Sequence, residues 1–404
     1  MRIAYLLQQF PVSTQTFAQS DVAALRKNAH DVDIFTLKPR LSGTEVDEDV
    51  YRPTLLGALG WLAALWRFKS ALPELFLAMW RAALRSPRAV LLALLCLPRA
   101  AEMARAIELG RYDVVHLFWA RHVAIVLPML AHARIRTLRS VFVGAYDMVA
   151  DDFLVTLALR HAQVAFSHAE ANRPYLEREV GPQTKIAIVR RGIPLFPLDR
   201  GLVRDPALWV TASALIREKN TEGVILAFAD GRHLDPSLRL EIYGEGPDRS
   251  RLEKRIKSLG LQNAIKFRGH TPREQVFEAM QHADAFLLLS KKRSERLPNA
   301  IKEAVWAGCA IVSSNSPGID ELLPNSSIGH VIDPDDEKQV GLAVKEIVHR
   351  DRSADFERIA GARALIAERF SAQRTMGEYV ACWQRAIASA GACENIAGPG
   401  AKPS

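Results

Sequence analysis

Cysteine is scarce: four in 404 residues. Cys96, Cys309, Cys382 and Cys393 fall into neither a C-x-x-C pair nor a zinc-ligand spacing, which argues against a disulfide-stapled scaffold and for reduced thiols in a cytosolic setting. No stretch reaches the ~18–20 uninterrupted apolar residues of a transmembrane helix. The opening segment Met1-Arg-Ile-Ala-Tyr-Leu-Leu-Gln-Gln-Phe10 has too short an apolar run for a secretory leader and no cleavage region, so it reads as a first buried strand. No Asp-x-Asp pair and no histidine cluster offers metal ligands, so no metal and no cofactor is expected. There is no repeat at a solenoid period. Aromatic and basic residues do not interleave as in known nucleic-acid modules, so no nucleic-acid partner is expected.

What is present is ample for two domains. Hydrophobic residues make up 49% of the chain, enough for a large core, and the length exceeds a comfortable single domain. The formal net charge of +8 suits an anionic partner, such as a nucleotide or a membrane surface. Strand-like apolar runs alternate with helical patterns, as in a doubly wound parallel α/β architecture. Residues 2–7, 31–37, 113–117, 139–143, 163–167 and 185–189 read as strands of a first half. A linker punctuated by Gly and Pro follows at Arg190-Arg-Gly-Ile-Pro-Leu-Phe-Pro197. A second series reads as strands at 207–215, 238–243, 264–267, 284–290, 309–313 and 328–332. The expectation is therefore a Rossmann-like domain over 1–195, a second over 196–371, a helix over 372–390 and a flexible tail over 391–404. Ligand is expected in the cleft between the two sheets.

The most informative segment is Ser294-Glu-Arg-Leu-Pro-Asn-Ala-Ile-Lys-Glu-Ala304, followed by Gly308. Glu295 sits in a loop after the apolar run Ala285-Phe-Leu-Leu-Leu-Ser290. Glu303 falls on a helix that Pro298 is suited to start, since its missing N–H is not needed there. At ~1.5 Å per residue the two carboxylates stand at two heights along one ligand. Between them, the free N–H groups of residues 297–300 and the positive end of the helix dipole make a phosphate site. Two glutamates eight apart also occur by chance in helices; the preceding buried strand, the proline and the turn Ala307-Gly-Cys309 before the next strand give the pair its context.

The segment resembles the donor-binding signature of retaining glycosyltransferases of family 4, which have the GT-B fold. Arg296 stands where that pattern has Gly. The resemblance continues in order over roughly residues 208–325. Trp209-Val-Thr-Ala-Ser-Ala-Leu-Ile-Arg-Glu-Lys-Asn220 resembles the loop in which an Arg and a Lys clamp the diphosphate. Lys219 takes the Lys position, Ala214 the Arg position, and Arg217 is the candidate substitute. Leu240-Glu-Ile-Tyr-Gly-Glu-Gly-Pro247 resembles the strand and Gly-rich turn that line the site, bringing in Gly244 and Glu245. Ile265-Lys-Phe-Arg-Gly-His270 resembles the strand end that contacts the nucleobase, bringing in Arg268 and Gly269. Ser316-Pro-Gly-Ile-Asp-Glu-Leu322 resembles the turn after the last donor strand. The resemblance implies that Glu303 holds the ribose hydroxyls, that Leu297, Pro298 and Asn299 face the phosphates, and that Lys219, Glu295 and Arg217 carry the chemistry.

In the first half, Phe10-Pro-Val-Ser-Thr-Gln-Thr-Phe17 resembles a polysaccharide-assembly subgroup with Phe-Pro-x-x-Ser-Glu-Thr-Phe. Thr14 and Thr16 either cap the following helix or touch acceptor or phosphate. His116 in Asp113-Val-Val-His-Leu-Phe-Trp119 is either a satisfied core histidine or an acceptor ligand. At Phe142-Val-Gly-Ala-Tyr-Asp147 the family pattern is Thr-His-Gly-Tyr-Asp; Gly144 takes the His position, while Tyr146 and Asp147 remain. Residues 54–108 are apolar and arginine-rich, with Pro73, Pro87 and Pro98 expected to break them into short helices. These either dock on a membrane interface or form the basic outer face of a soluble domain.

What the resemblance implies is sugar transfer, with retention, from a nucleotide-diphosphate sugar to a glycan or lipid-linked acceptor in cell-surface or exopolysaccharide synthesis. It places the enzyme in the cytoplasm, peripheral on the inner face of the cytoplasmic membrane. The first domain would bind acceptor and the second donor, with the 372–390 helix crossing back to the first. Rival readings are a non-catalytic nucleotide-sugar-binding protein, which the absent His and Arg would suit, and a nucleotide-sugar epimerase of similar fold.

Overall fold

The computed structural model describes residues 1–10, 16–37, 50–51, 58–150, 153–199, 201–292, 294–325 and 328–396. Two compact units divide the chain: Met1–Arg190 with the C-terminal stretch from Thr375, and Arg191–Arg374. The divisions thus fall at Arg190 and Arg374 rather than at the expected 195 and 371.

The first unit carries strands β1 (Arg2–Leu7), β2 (Asp31–Thr36), β3 (Val50–Tyr51), β4 (Val114–Phe118), β5 (Leu138–Phe142), β6 (Val164–Ser167) and β7 (Lys185–Ile188). Its helices are α1 (Thr16–Lys27), α2 (Ala58–Arg67), α3 (Leu72–Ala82), α4 (Pro87–Gly110), α5 (Val126–His132), α6 (Ala145–Ala150), α7 (Phe153–His161) and α8 (Arg173–Glu179). Among the described residues the strands form one parallel sheet in the order β3-β2-β1-β4-β5-β6-β7. Both faces of β1 are buried: Ala4 and Leu6 enter the core beneath α2–α5 and α7, while Ile3, Tyr5 and Leu7 enter the opposite one. That double burial is why the strands read as continuous apolar runs rather than alternating ones.

The second unit carries β8 (Asp205–Ala212), β9 (Arg239–Tyr243), β10 (Ile265–Gly269), β11 (Ala283–Leu288), β12 (Ala310–Ser314) and β13 (Gly329–Ile332). Its helices are α9 (Thr221–Leu234), α10 (Arg249–Ser258), α11 (Arg273–His282), α12 (Asn299–Ala307), α13 (Glu337–His349) and α14 (Asp355–Arg369). Its parallel sheet runs β10-β9-β8-β11-β12-β13, the doubly wound order, with the direction of progression reversing between β8 and β11.

Two helices depart from expectation. Pro98 lies inside α4 and does not end it. An internal proline costs a helix about 3 kcal/mol, but Ala93, Leu97, Ala100, Ala101, Met103, Ala104 and Ile107 bury a long face of α4 in the first core and hold it through the break. The final helix, α15 (Ala372–Ile396), continues through the first six residues of the expected tail. Met376, Tyr379 and Trp383 recur at helical spacing and are buried against β1, β4, β5 and β6, which anchors its first three turns.

Candidate functional site

The loops after β8 and β11 leave the second sheet at its switch point, where open α/β sheets bind ligands. They are sewn together by the main chain: Lys291 N–H donates to the Glu218 carbonyl at 2.8 Å. Asn220, in the left-handed region at φ 51°, donates through Nδ2 to the Leu289 carbonyl at 3.0 Å and accepts from Gly223 N–H through Oδ1, capping α9. Across this seam Lys219 and Glu295 form an ion pair. Ser290 Oγ donates to the same carboxylate at 3.0 Å. Both charged side chains are mostly buried, 18% and 14% exposed, so their attraction is screened less than at an open surface.

Beyond β11, Leu297 and Pro298 are buried and α12 begins at Asn299. Pro298 is the residue before the helix rather than its first turn, with an extended backbone (φ −61°, ψ 130°). The helix ends in a left-handed Gly308 at φ 99°, where a side chain would strike Arg204. Glu303 is buried, and Arg273 Nε from α11 donates to its Oε1 at 2.6 Å. Burial pushes the Glu303 carboxyl above its ordinary range, with Arg273 opposing. Lys302 points elsewhere: its Nζ donates to the Arg191 carbonyl at 2.7 Å and to Asn299 Oδ1 at 3.2 Å, so the Asn299 side chain is engaged within the protein.

The loop after β9 closes the other side. A side chain at Gly244, φ 130°, would meet the Ser213 carbonyl oxygen at 1.9 Å, so only glycine lets these two loops touch. Gly244 N–H donates to the Gly269 carbonyl at 2.8 Å, and Leu215 N–H to the Glu245 carbonyl at 3.0 Å. The loops after β8, β9 and β10 are thereby in register. Two expected donor contacts are turned to other partners. Glu245 pairs with Arg249. Arg268 pairs with Glu241, which also accepts from Tyr243 Oη at 2.6 Å. Burial alone would raise the Glu241 carboxyl, but these two donors hold it below the usual range.

Arg217 is exposed in the single turn Arg217–Lys219, and Ala214 is exposed beside it. Arg296 folds back on its own loop, donating through Nη1 to the Glu295 carbonyl at 2.8 Å, and burial lowers its guanidinium pKa. Ser316 Oγ donates to the Arg296 carbonyl at 3.2 Å, tying in the turn after β12.

In the first unit, His116 resolves as a core residue. It is 1% exposed, its Nδ1 lies 2.9 Å from Ser140 Oγ, and Tyr5, Phe166, Tyr379 and Trp383 surround its ring. Trp383 Nε1 donates to the same hydroxyl at 3.0 Å. An acceptor cannot reach it, so its assignment to the acceptor group is withdrawn. Asp147 is buried at the start of α6 and accepts from Gly144 N–H at 2.9 Å, capping the helix from within. Burial raises its carboxyl from 3.8 to about 6. Tyr146 is half exposed, with the Arg121 guanidinium 4.5 Å over its ring. Thr14 lies outside the described residues; Thr16 begins α1.

Arg273, Asn220 and Ser290 went unnoticed in the sequence. Asn220 had a local signal, an N-cap residue before a helical run, whereas Arg273 and Ser290 acquire meaning only through tertiary contact.

Residues 199–362 match a family model described as glycosyl transferases group 1. Over the whole chain, WcaL of Salmonella typhimurium, a colanic acid biosynthesis glycosyltransferase by name, is 24% identical over 92% of this chain and 97% of its own length. Among solved structures, Anabaena HepE in complex with UDP superposes with a TM-score of 0.72 at 15% identity, over 95% of this chain and all of that one (100%). Sucrose-phosphate synthase from Thermosynechococcus elongatus gives 0.70 at 16% identity, over 96% and 99%. The chain has the GT-B fold. Together the matches support a GT-B glycosyltransferase.

Proposed function

We propose that this protein transfers a sugar from a nucleotide-diphosphate sugar to a lipid-linked glycan, with retention at the anomeric carbon, in the making of a cell-surface or extracellular polysaccharide. The observation that carries the reading is the Lys219–Glu295 pair across the switch point, with α12 starting at Asn299, a short way along the chain from Glu295. A diphosphate at that helix end meets unpaired N–H groups and draws Lys219 away from Glu295. The bond from the anomeric carbon to the phosphate oxygen breaks, the acceptor hydroxyl bonds to that carbon on the same face, and its proton passes to the leaving diphosphate. Lys219, with Arg217, stabilises the charge that builds on the phosphate, and Glu295, released, reaches the sugar. Glu303, oriented by Arg273, accepts from the ribose hydroxyls. The transfer itself uses no metal.

The same reading places the protein on the cytoplasmic face of the membrane. Among the described residues no helix is long and apolar enough to cross a membrane. Helices α2–α4 and their connections expose Trp66, Trp80, Leu84 and Leu95. Arg81, Arg85 and Arg88 are exposed among them, a combination suited to lying in an anionic interface. A second reading, a nucleotide-sugar binder without turnover, is favoured by Ala214 and Gly144 alone.

The test pairs calorimetry with UDP-, GDP- and ADP-sugars against transfer to a lipid-linked acceptor mixture, with the product anomer read by NMR. Binding with a retained product supports transfer, and binding without product supports the second reading. No nucleotide binding at all overturns both.

A further inference from the structure

Three helices of the first unit bring metal-ligating side chains to one point, none of them given a role above. Glu74 lies in the first turn of α3, while His132 and His161 are the last residues of α5 and α7. The two imidazoles face separate oxygens of one carboxylate: His132 Nε2 is 2.6 Å from Oε2, and His161 Nε2 is 2.8 Å from Oε1. The three ligand atoms lie within 4.8 Å of one another, and the ring centroids are 5.6 Å apart. A hydrogen bond fastening α3 to its neighbours would need one histidine. Here two, one from α5 and one from α7, converge through the same nitrogen on the two oxygens of one carboxylate, which brings three ligand atoms to one point.

We propose that Glu74, His132 and His161 bind a divalent transition metal ion, zinc by ligand chemistry, as a three-ligand site completed by water. The geometry favours it in two ways. At Zn–N and Zn–O distances of about 2.0–2.2 Å the ligand atoms need only spread modestly around an inserted ion. Ligation would use one carboxylate oxygen and the Nε2 lone pair of each neutral imidazole, with the ring proton on Nδ1. The site also sits where α5 and α7 end, so the partial negative charge of two helix C-termini faces the cation. His132 and Glu74 keep 34% and 36% of their side chains exposed, which leaves an entry path and room for water. Arg81, Arg85 and Arg160 line the adjoining groove of about 320 Å³; their charge opposes a cation, so affinity must come from direct ligation. The proposal runs against the expectation of no metal for the chain. The ligands stand 58 and 87 residues from Glu74, a separation at which no sequence motif is legible. Occupancy would pin α3, whose outer face exposes Phe76, Leu77 and Trp80.

The test is a calorimetric titration of full-length, EDTA-stripped protein with ZnCl2, beside His132→Gln and His161→Gln, with circular dichroism to verify the fold. One equivalent should bind. Outer partners of metal ligands are worth about 10–100-fold in affinity, so loss of a direct ligand should cost at least that. Co2+ should give a tetrahedral-type visible spectrum that His132→Gln abolishes. Independently of any variant, ZnCl2 should raise the melting temperature of the wild type and EDTA reverse the rise. Absence of zinc binding in the wild type overturns the proposal, as does binding that both substitutions leave unchanged.

Discussion

Lys219 and Glu295 neutralise one another across the switch point of the second sheet, one from the loop after β8 and the other from the loop after β11. Under the proposed function, a nucleotide diphosphate entering there would compete with Glu295 for the ammonium. Glu295→Gln should therefore leave binding of the bare nucleotide diphosphate unchanged or tighter, while transfer falls. Lys219→Ala should lower turnover more than donor affinity, because the ammonium matters most as charge builds on the leaving group. Calorimetry beside steady-state rates separates the two. If Glu295→Gln weakens nucleotide binding, the competition is wrong. If Lys219→Ala and Arg217→Ala both turn over like the wild type, the diphosphate clamp lies elsewhere.

The Glu303–Arg273 pair sharpens the ribose assignment. With Oε1 held by Arg273, a ribose bound as proposed would have to use the remaining acceptor capacity of the carboxylate. Glu303→Gln should weaken donor binding by a charge-assisted bond's worth, about 1.5–3 kcal/mol. Gln keeps an acceptor for Arg273, so the stability loss should stay below the about 3–5 kcal/mol of breaking a buried pair outright. Unchanged nucleotide affinity would remove Glu303 from the site.

The sheets were legible because parallel strands buried on both faces are unbroken apolar runs: Ala283–Leu288 is buried at every position. The turns of the second unit were legible where one residue type is obligatory, as at Gly244 and Gly308. Pairings were not. Nothing local tells that Arg268 turns to Glu241, that Arg273 reaches Glu303 thirty positions on, or that Trp383 hydrogen-bonds Ser140 from the far end of the chain and seals His116 inside. Pro98 misled for a similar reason, since its local cost is outweighed by a core that the helix meets only once the chain is folded.

Asp147 makes stability depend on pH. Its carboxyl is raised by burial from 3.8 to about 6, so the folded state holds its proton more tightly than the unfolded chain. The stabilisation is fully present below pH ~4 and is lost as pH rises through about 6, at up to about 1.4 kcal/mol per pH unit. Asp147→Asn does not titrate and should lack this slope. Urea unfolding between pH 4 and 7 measures it; parallel profiles for wild type and variant would assign the slope to other groups.

Membrane docking by α2–α4 should depend on salt, since headgroup attraction is screened over about 8–10 Å at physiological ionic strength. The triple substitution of Arg81, Arg85 and Arg88 by Gln should weaken binding to anionic vesicles and leave the melting temperature nearly unchanged, because all three side chains are exposed. Equal partitioning to neutral and anionic vesicles, or none, would return these helices to an ordinary outer face.

Gly144 stands where the resembled pattern has histidine, and the backbone there has room for a Cβ. Its φ is not positive, and a Cβ there would meet Trp119 Nε1 at 3.5 Å, Phe142 Cε1 at 3.6 Å and His168 Cε1 at 3.8 Å, all ordinary contacts. Gly144 is buried, so Gly144→His should keep the Asp147 cap on the residue 144 N–H but cost about 1–3 kcal/mol of stability through the added ring. The ring must then project into the space beside Trp119 and His168. If that space holds a donor sugar or acceptor group, the substitution should cut transfer while donor-nucleotide binding in the second unit persists. The measurement is transfer from a panel of nucleotide sugars to lipid-linked acceptors, wild type beside variant, with melting temperature as the control. A silent wild type beside an active Gly144→His would mean that the glycine marks lost catalysis rather than a roomier acceptor site.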